Sequence, residues 1–172
     1  MKTKQSLTAL ILCAILVSGC GSNLITTFRV AVASSRPFIN SLVNSGVITQ
    51  EKANSVLADI NAGIDVASRG ETCVKGITGS GNDSKVAKAK CYFALAQDLR
   101  GILARHNIGG NAKLDQIASI VEGAIAAFEE YFRSVTGTQN SITAGGRAED
   151  PDKTLEAKMK SMQAQMKAVT GQ

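Results

Sequence analysis

Apolar residues recur every three or four positions along four long stretches of the chain, a spacing that places them on one face of a helix. The fourth stretch shows this most clearly, with apolar residues at Leu114, Ile117, Val121, Ala124, Phe128, Tyr131 and Val135. Each stretch begins at residues that favour a helix N-cap, namely Ser22 or Asn23, Thr49, Asp83 or Ser84, and Asn111. Neither strand-like alternation nor an internal repeat is visible. The sequence therefore predicts an all-α fold, a four-helix up-down bundle over residues 20–136.

Proline and glycine mark where these helices are expected to bend or stop. Pro37 lacks a backbone donor and predicts a kink or a break near residues 33–36. The second apolar stripe ends near Gly70, so Cys73 is expected in the glycine-rich loop that follows. Gly63, inside that stripe, indicates either a close helix crossing or a weak point in the helix.

A further helix is predicted at the C-terminus, beyond a linker. Residues 137–152 lose the apolar period and contain three glycines and a proline, which is typical of a linker. Residues 153–172 form an amphipathic helix with a narrow apolar seam, made of Leu155, Met159, Met162, Met166 and Val169. Methionine suits adaptable contacts, so one hypothesis is a detachable interaction helix. The other is a fifth helix packed loosely on the bundle, or a fraying tail.

The first twenty residues have the composition of an export signal. Two lysines precede an apolar run from Leu7 to Val17 that only Thr8 interrupts. The run ends in the tetrapeptide Val17-Ser18-Gly19-Cys20. This ending resembles the lipobox of bacterial lipoproteins, with Val17 where that family favours leucine. An ordinary secretory signal with a chance cysteine is the alternative.

The resemblance implies how the protein is processed and held. Cleavage between Gly19 and Cys20 would make residues 1–19 a lipoprotein signal peptide and Cys20 the first mature residue. The Cys20 sulfur would carry a diacylglyceryl group, and its amino group a further acyl chain such as palmitate. Similar lipoproteins stay in the inner membrane when aspartate follows the cysteine, but Gly21 stands there. The resemblance therefore implies a lipid anchor at the periplasmic face of the outer membrane.

The other cysteines indicate a disulfide. Cys13 lies in the signal and Cys20 is the expected lipid attachment site, so Cys73 and Cys91 remain as a pair in an oxidising compartment. We therefore expect a disulfide bond between Cys73 and Cys91. A metal site is a poor alternative, because His106 is the only histidine and no two cysteines have CxxC spacing.

Few residues suggest chemistry. Glu129 and Glu130 are adjacent, about 100° apart around a helix, so they are interpreted as solvated side chains and not as an acid–base pair. His106 is interpreted as a helix-capping residue. The glycine-rich run at residues 76–82 has no strand before it and no Gly-Lys-Ser/Thr after it, which argues against a phosphate loop.

The distribution of charge limits the choice of partners. Lys85, Lys88 and Lys90 form a basic cluster, which either lies on a solvated face or contacts anionic lipid or peptidoglycan carboxylates. The full chain has a formal charge of +5, and two of its 19 basic residues lie in the signal. The mature chain is therefore less positive than the full chain. No basic motif is interleaved with aromatic residues. Nucleic acid is therefore not an expected partner.

These features predict a lipid-anchored protein of the cell envelope that presents a helical surface to a protein partner or to peptidoglycan. The alternative is a periplasmic binding module that holds an apolar ligand inside the bundle. No enzyme activity, catalytic residue, cofactor or bound metal is expected, since the sequence has no nucleophile elbow, clustered carboxylates or metal-ligand spacing.

Overall fold

The computed structural model describes residues 22–105, 111–137 and 150–171. Five α-helices account for nearly all of these residues, and none of the described residues lies in a strand. The helices are α1 (Ser22–Asn44), α2 (Gln50–Lys75), α3 (Asn82–Arg105), α4 (Ala112–Thr136) and α5 (Pro151–Thr170). The predicted all-α class is therefore confirmed.

Two predicted N-caps are confirmed. The Thr49 side chain accepts a hydrogen bond from the Lys52 backbone N–H at 3.2 Å. The Asn111 side chain accepts from the N–H groups of Lys113 and Leu114 at 3.0 and 3.3 Å. Each cap provides an acceptor for donors that the first helical turn leaves unpaired, which fixes where α2 and α4 begin.

The structure contradicts two expected helix breaks, one near Pro37 and one near Gly70. The helix α1 continues through Pro37, because the exposed proline removes one donor while Phe38 and Ile39 next to it stay buried in the core. The helix α2 continues past Gly70 to Lys75, because Val74 extends its buried face by another turn. Cys73 therefore lies on the last turn of α2 and not in a loop.

The five helices form a closed ring. Each helix packs against the next one in the chain, and α5 also packs against α1. The C-terminal helix thus occupies the groove between α4 and α1. Its seam is buried there, since Leu155, Met159, Met162 and Met166 are at most 4% exposed. Within the described residues α5 is packed as closely as the other helices, and not loosely.

Aromatic side chains tie three of these helices together at one level of the core. Tyr92 on α3 stacks on Phe128 of α4 with ring centroids 5.4 Å apart. Phe28 of α1 meets Phe128 edge-on at 6.0 Å, and Tyr131 meets Tyr92 edge-on at 5.3 Å. Such pairs add about 0.5–1.5 kcal/mol each beyond the area they bury. The cluster therefore fixes α1, α3 and α4 relative to one another.

The contact between α2 and α3 is close at two points. The sulfur atoms of Cys73 and Cys91 lie at disulfide distance, with Cα atoms 5.9 Å apart. A methyl group at Gly70 would lie only 3.3 Å from Leu95 of α3 and 3.4 Å from Ile25 of α1. At Gly63 the nearest atom, on Leu99, would be 3.8 Å away, an ordinary contact. The close crossing is therefore at Gly70 and not at Gly63.

The buried seam of α5 predicts that this helix belongs to the cooperative core. Replacing Met159, which is fully buried, by alanine should destabilise the protein by about 2–5 kcal/mol. The matched control is Lys160→Ala on the exposed face, which loses only a surface pair with Glu156 and should cost no more than about 0.5 kcal/mol. Denaturant unfolding measures both variants.

A single transition that shifts to lower denaturant in Met159→Ala is the expected result. If the main transition of the other four helices keeps its midpoint, α5 unfolds separately, and the detachable-helix hypothesis gains support over a five-helix core.

Candidate functional site

The predicted site residues fall into two groups. Cys20 and His106 lie outside the described residues, and α1 begins at Ser22, two positions after Cys20. Cys73 and Cys91 lie together where the C-terminal end of α2 meets the first half of α3. Of the polar residues brought together near this end, the sequence singled out only Lys85 and Lys88, as part of a basic cluster.

A polar pocket of about 220 Å³ lies at this end of the bundle. It is formed by the α2–α3 loop together with side chains of α3, α4 and α5. The lining residues are Gly79, Ser80, Gly81, Ser84, Lys85, Lys88, Tyr92, Tyr131 and Asp152. Positive and negative groups thus converge from three helices and one loop.

Asp152 holds the pocket together. Its Oδ1 atom accepts a hydrogen bond from the Tyr131 hydroxyl at 2.7 Å, and its Oδ2 atom lies 3.1 Å from the Lys85 ammonium. Burial alone would raise the pKa of Asp152, but the hydrogen bonds from Tyr131 and Lys85 outweigh it and lower that pKa below its usual value. The hydrogen bond between Lys85 and Asp152 raises the pKa of Lys85. Both groups are therefore charged at neutral pH.

The two tyrosines of the pocket stay protonated. Burial raises the pKa of Tyr92 far above its usual value, and the charge of Asp152 adds to this effect. Burial likewise raises the pKa of Tyr131, and the hydrogen bond to Asp152 raises it further. Because neither phenol ionises near neutral pH, Tyr131 acts here as a hydrogen-bond donor and not as a base.

A buried carboxylate that the sequence did not reveal lies between α1 and α2. Glu71 is 8% exposed and contacts Arg29 at 3.3 Å and Lys75 at 2.6 Å. The hydrogen bond from Lys75 lowers the pKa of Glu71, burial opposes this, and the charge of Arg29 lowers it further. Arg29 and Lys75 thus compensate the charge of Glu71, and the contact with Arg29 fixes α1 against α2.

The interpretation of Glu129 as a solvated residue is wrong. Glu129 is 9% exposed, and its Oε1 atom lies 2.7 Å from Arg100 of α3 while its Oε2 atom lies 3.6 Å from Arg133. It is buried because it faces α3, which also donates a hydrogen bond from Gln97. Glu130 is exposed and pairs with Lys158 of α5. Each glutamate thus binds a different neighbouring helix.

A small apolar cavity of about 60 Å³ lies near the centre of the ring. Every helix contributes to its wall, through residues such as Phe28, Ile60, Leu99, Ile117 and Met166. Pockets for drug-sized ligands measure about 300–1,000 Å³. In this conformation the cavity therefore has room for a few atoms only.

Two further features bear on chemistry and location. Over residues 22–105, 111–137 and 150–171, no three His, Cys, Asp or Glu side chains are grouped so that they could hold a metal ion. None of the five described helices is both long and apolar enough to span a membrane.

Comparisons with protein-family models, curated proteins and solved structures found no match to this chain. We therefore infer function from the sequence of the chain and from the geometry described above.

The Tyr131–Asp152 contact predicts a pH-dependent contribution to stability. Because the folded pKa of Asp152 is lowered, this contribution is present above the unfolded pKa of about 3.9 and is lost as pH falls through the folded value. Replacing Tyr131 by phenylalanine keeps the ring and should cost about 0.5–1 kcal/mol at neutral pH, since Asp152 is about half exposed.

The measurement is a double-mutant cycle with Asp152→Asn, together with an NMR titration of the Asp152 carboxyl carbon. Tyr131→Phe should raise the pKa of Asp152 and should cost little once Asp152 is already Asn. An unchanged carboxyl titration would show that the hydrogen bond does not form in solution.

Proposed function

We propose that this chain is a lipid-anchored protein of the bacterial cell envelope, held by Cys20 at the periplasmic face of the outer membrane. Its helical bundle presents a surface to an envelope protein or to peptidoglycan, and it acts without catalysis. The observation that carries the proposal is the lipobox-like ending Val17-Ser18-Gly19-Cys20, with α1 beginning only two residues later. We assign no catalytic residue, cofactor or metal to it.

The short tether supports close contact between bundle and membrane. Two residues span at most about 7 Å even when fully extended. A lipid on Cys20 would therefore hold the N-terminal end of α1 near the bilayer surface. Two or more acyl chains are needed for stable attachment, which the expected modification of Cys20 would supply.

The arrangement that we infer for the helices is an up-down order. What supports it is the sequence of cross-helix contacts: Arg29 of α1 pairs with Glu71 of α2, whereas Arg36, one to two turns later in α1, contacts Asn61, which comes earlier in α2. Short connections between α1 and α2 and between α2 and α3 favour the same order. The N-terminal end of α1 then lies at the same end of the bundle as the α2–α3 loop.

The exposed surface favours polar contacts with a partner. Among the described residues only Val30 and Val47 are large apolar side chains with high exposure, 52% each. They lie far apart along the chain, one on α1 and one in the loop after it. A partner that binds the sides of the bundle would therefore meet mainly charged and amide side chains.

The alternative function, binding of an apolar ligand in the bundle, rests on the central cavity. Its wall is almost wholly apolar, and Met166 of α5 forms part of it. A ligand larger than a few atoms would require the helices around the cavity to move apart, at the cost of exposing part of the apolar core. Partner binding by the outer surface requires no such change, so we favour it.

The disulfide is part of the proposal, because export places the chain in an oxidising compartment. A Cα separation of 5.9 Å lies inside the range of about 4.4–6.8 Å in which disulfides form. The bridge between Cys73 and Cys91 would then join α2 and α3 at the end of the bundle that faces the membrane.

Anchoring is predicted to depend on Cys20. Replacing Cys20 by alanine should abolish labelling with radioactive palmitate and leave an uncleaved precursor, because both the thioether and the cleavage site are lost. Cys13→Ala is the matched control, since Cys13 lies in the apolar run of the same signal and should be dispensable.

Labelling of the Cys20→Ala variant at the level of Cys13→Ala would refute the lipoprotein proposal. Recovery of the unaltered protein with inner-membrane vesicles after density separation would refute the proposed outer-membrane location.

A further inference from the structure

The first turns of α3 extend beyond the end of α2. Cys73 and Cys91 lie side by side, yet α2 ends two residues after Cys73 while α3 begins nine residues before Cys91. At a rise of about 1.5 Å per residue, the start of α3 therefore reaches about 10 Å past the end of α2. Gly70 lies level with Ile25 of α1, three residues from the start of that helix.

This projecting end points toward the membrane if Cys20 is lipidated. Cys20 reaches at most about 7 Å beyond the start of α1. The headgroup layer adds roughly 5–8 Å on each side of the hydrocarbon core. The tether is therefore short enough for the start of α3 and the pocket beneath it to reach the level of the lipid headgroups.

The projecting segment carries an excess of positive charge. From Gly76 to Cys91 it contains Lys85, Lys88 and Lys90 against the single acidic residue Asp83. Lys85 is neutralised by Asp152 within the pocket. Lys88 also lines the pocket and is only partly exposed, but it forms no salt bridge within the described part of the chain. Its charge acts on Asp152 without a direct contact.

In the described part of the chain Lys85 of the pocket forms a salt bridge and Lys88 forms none, while the charge of Asp150 beside the pocket also acts on Lys85 and Tyr131. Lys85 and Lys88 stand against Asp152, whose carboxylate is already held by Tyr131 and Lys85. The Ser84 hydroxyl, which donates to the Gly79 carbonyl at 3.2 Å, also lies at the rim. A phosphodiester carries a single negative charge, which would pair with the Lys88 ammonium.

We propose that the pocket between the α2–α3 loop, Lys88 and Tyr131 binds the phosphate of an anionic phospholipid headgroup, in the membrane to which Cys20 attaches the protein. The inference rests on the proposed lipid anchor and adds a specific contact to it. Binding would orient the bundle on the bilayer, since an anchor on a short tether alone leaves the bundle free to tilt.

The test measures how fast single lysines are acetylated in the full chain, purified from the membranes of a host that processes it. The protein is reconstituted by its own anchor into phosphatidylcholine vesicles, with or without about one third phosphatidylglycerol. Phosphatidylglycerol should slow the acetylation of Lys88 about fivefold more than that of Lys90, as expected if the pocket adds a specific contact with the headgroup. Lys113, at the start of α4, should be unaffected.

Lys90 is the matched control, because it is exposed on the same helix and does not line the pocket. Equal slowing of Lys90 and Lys88 would indicate general attraction to the anionic surface and would overturn the pocket. A third set of phosphatidylcholine vesicles receives inorganic phosphate in place of phosphatidylglycerol. Protection of Lys88 there to the same extent would overturn the assignment to a lipid headgroup.

Flotation of the vesicles separates failure of the anchor from failure of the site. Protein that floats while Lys88 stays fully reactive contradicts the headgroup site and leaves the anchor intact. Protein that does not float contradicts the anchor, and with it the headgroup site.

The variants Lys88→Gln and Lys90→Gln provide a second readout. Native mass spectrometry of the protein in mixed micelles should show about fivefold less retained phosphatidylglycerol for Lys88→Gln and no loss for Lys90→Gln. Equal retention by both variants would contradict the proposal.

Discussion

The fold depends on the packing of α5 into the groove between α4 and α1. Without this helix the apolar faces of its two neighbours would be open to water, and the central cavity would lose the wall that Met166 provides. Methionine suits the position because its unbranched side chain fills irregular gaps between helices. The chain has few aromatic residues and no tryptophan, so closing the ring lets small and medium side chains bury enough surface for a core.

The buried carboxylates fix how neighbouring helices meet. Glu71 is neutralised by Arg29 across the α1–α2 contact, and Glu129 by Arg100 across the α3–α4 contact. An isolated buried charge would be costly, so each arrangement holds only while its partner helix is in place. Asp152 acts in the same way on a smaller scale, because it brings Lys85 of α3 and Tyr131 of α4 to the start of α5.

Local signals in the sequence predicted the helices well, but apart from the Cys73–Cys91 pair they did not predict which side chains meet between helices. The caps at Thr49 and Asn111 and the seam of α5 follow from residue type and spacing alone. The burial of Glu129 does not follow from them, because it depends on Arg133 in the next turn of α4 and on Arg100 of α3. The helix does not break at Pro37, because burial of the residues after it outweighs one missing hydrogen bond. The polar pocket was missed because its residues are spread over three helices and a loop.

The proposed anchor, the inferred up-down order and the proposed headgroup contact would together give the bundle one orientation, with the α2–α3 loop at the bilayer and the α1–α2 loop far from it. At 23 residues α1 is about 34 Å long, so the two loops are well separated in depth. The most direct test is quenching of a fluorescent label on Thr78→Cys or Ser45→Cys, both exposed, by lipids that carry a nitroxide headgroup. Strong quenching of the label at Thr78 and none at Ser45 is the predicted result. Equal quenching at both positions, or stronger quenching at Ser45, would contradict the orientation.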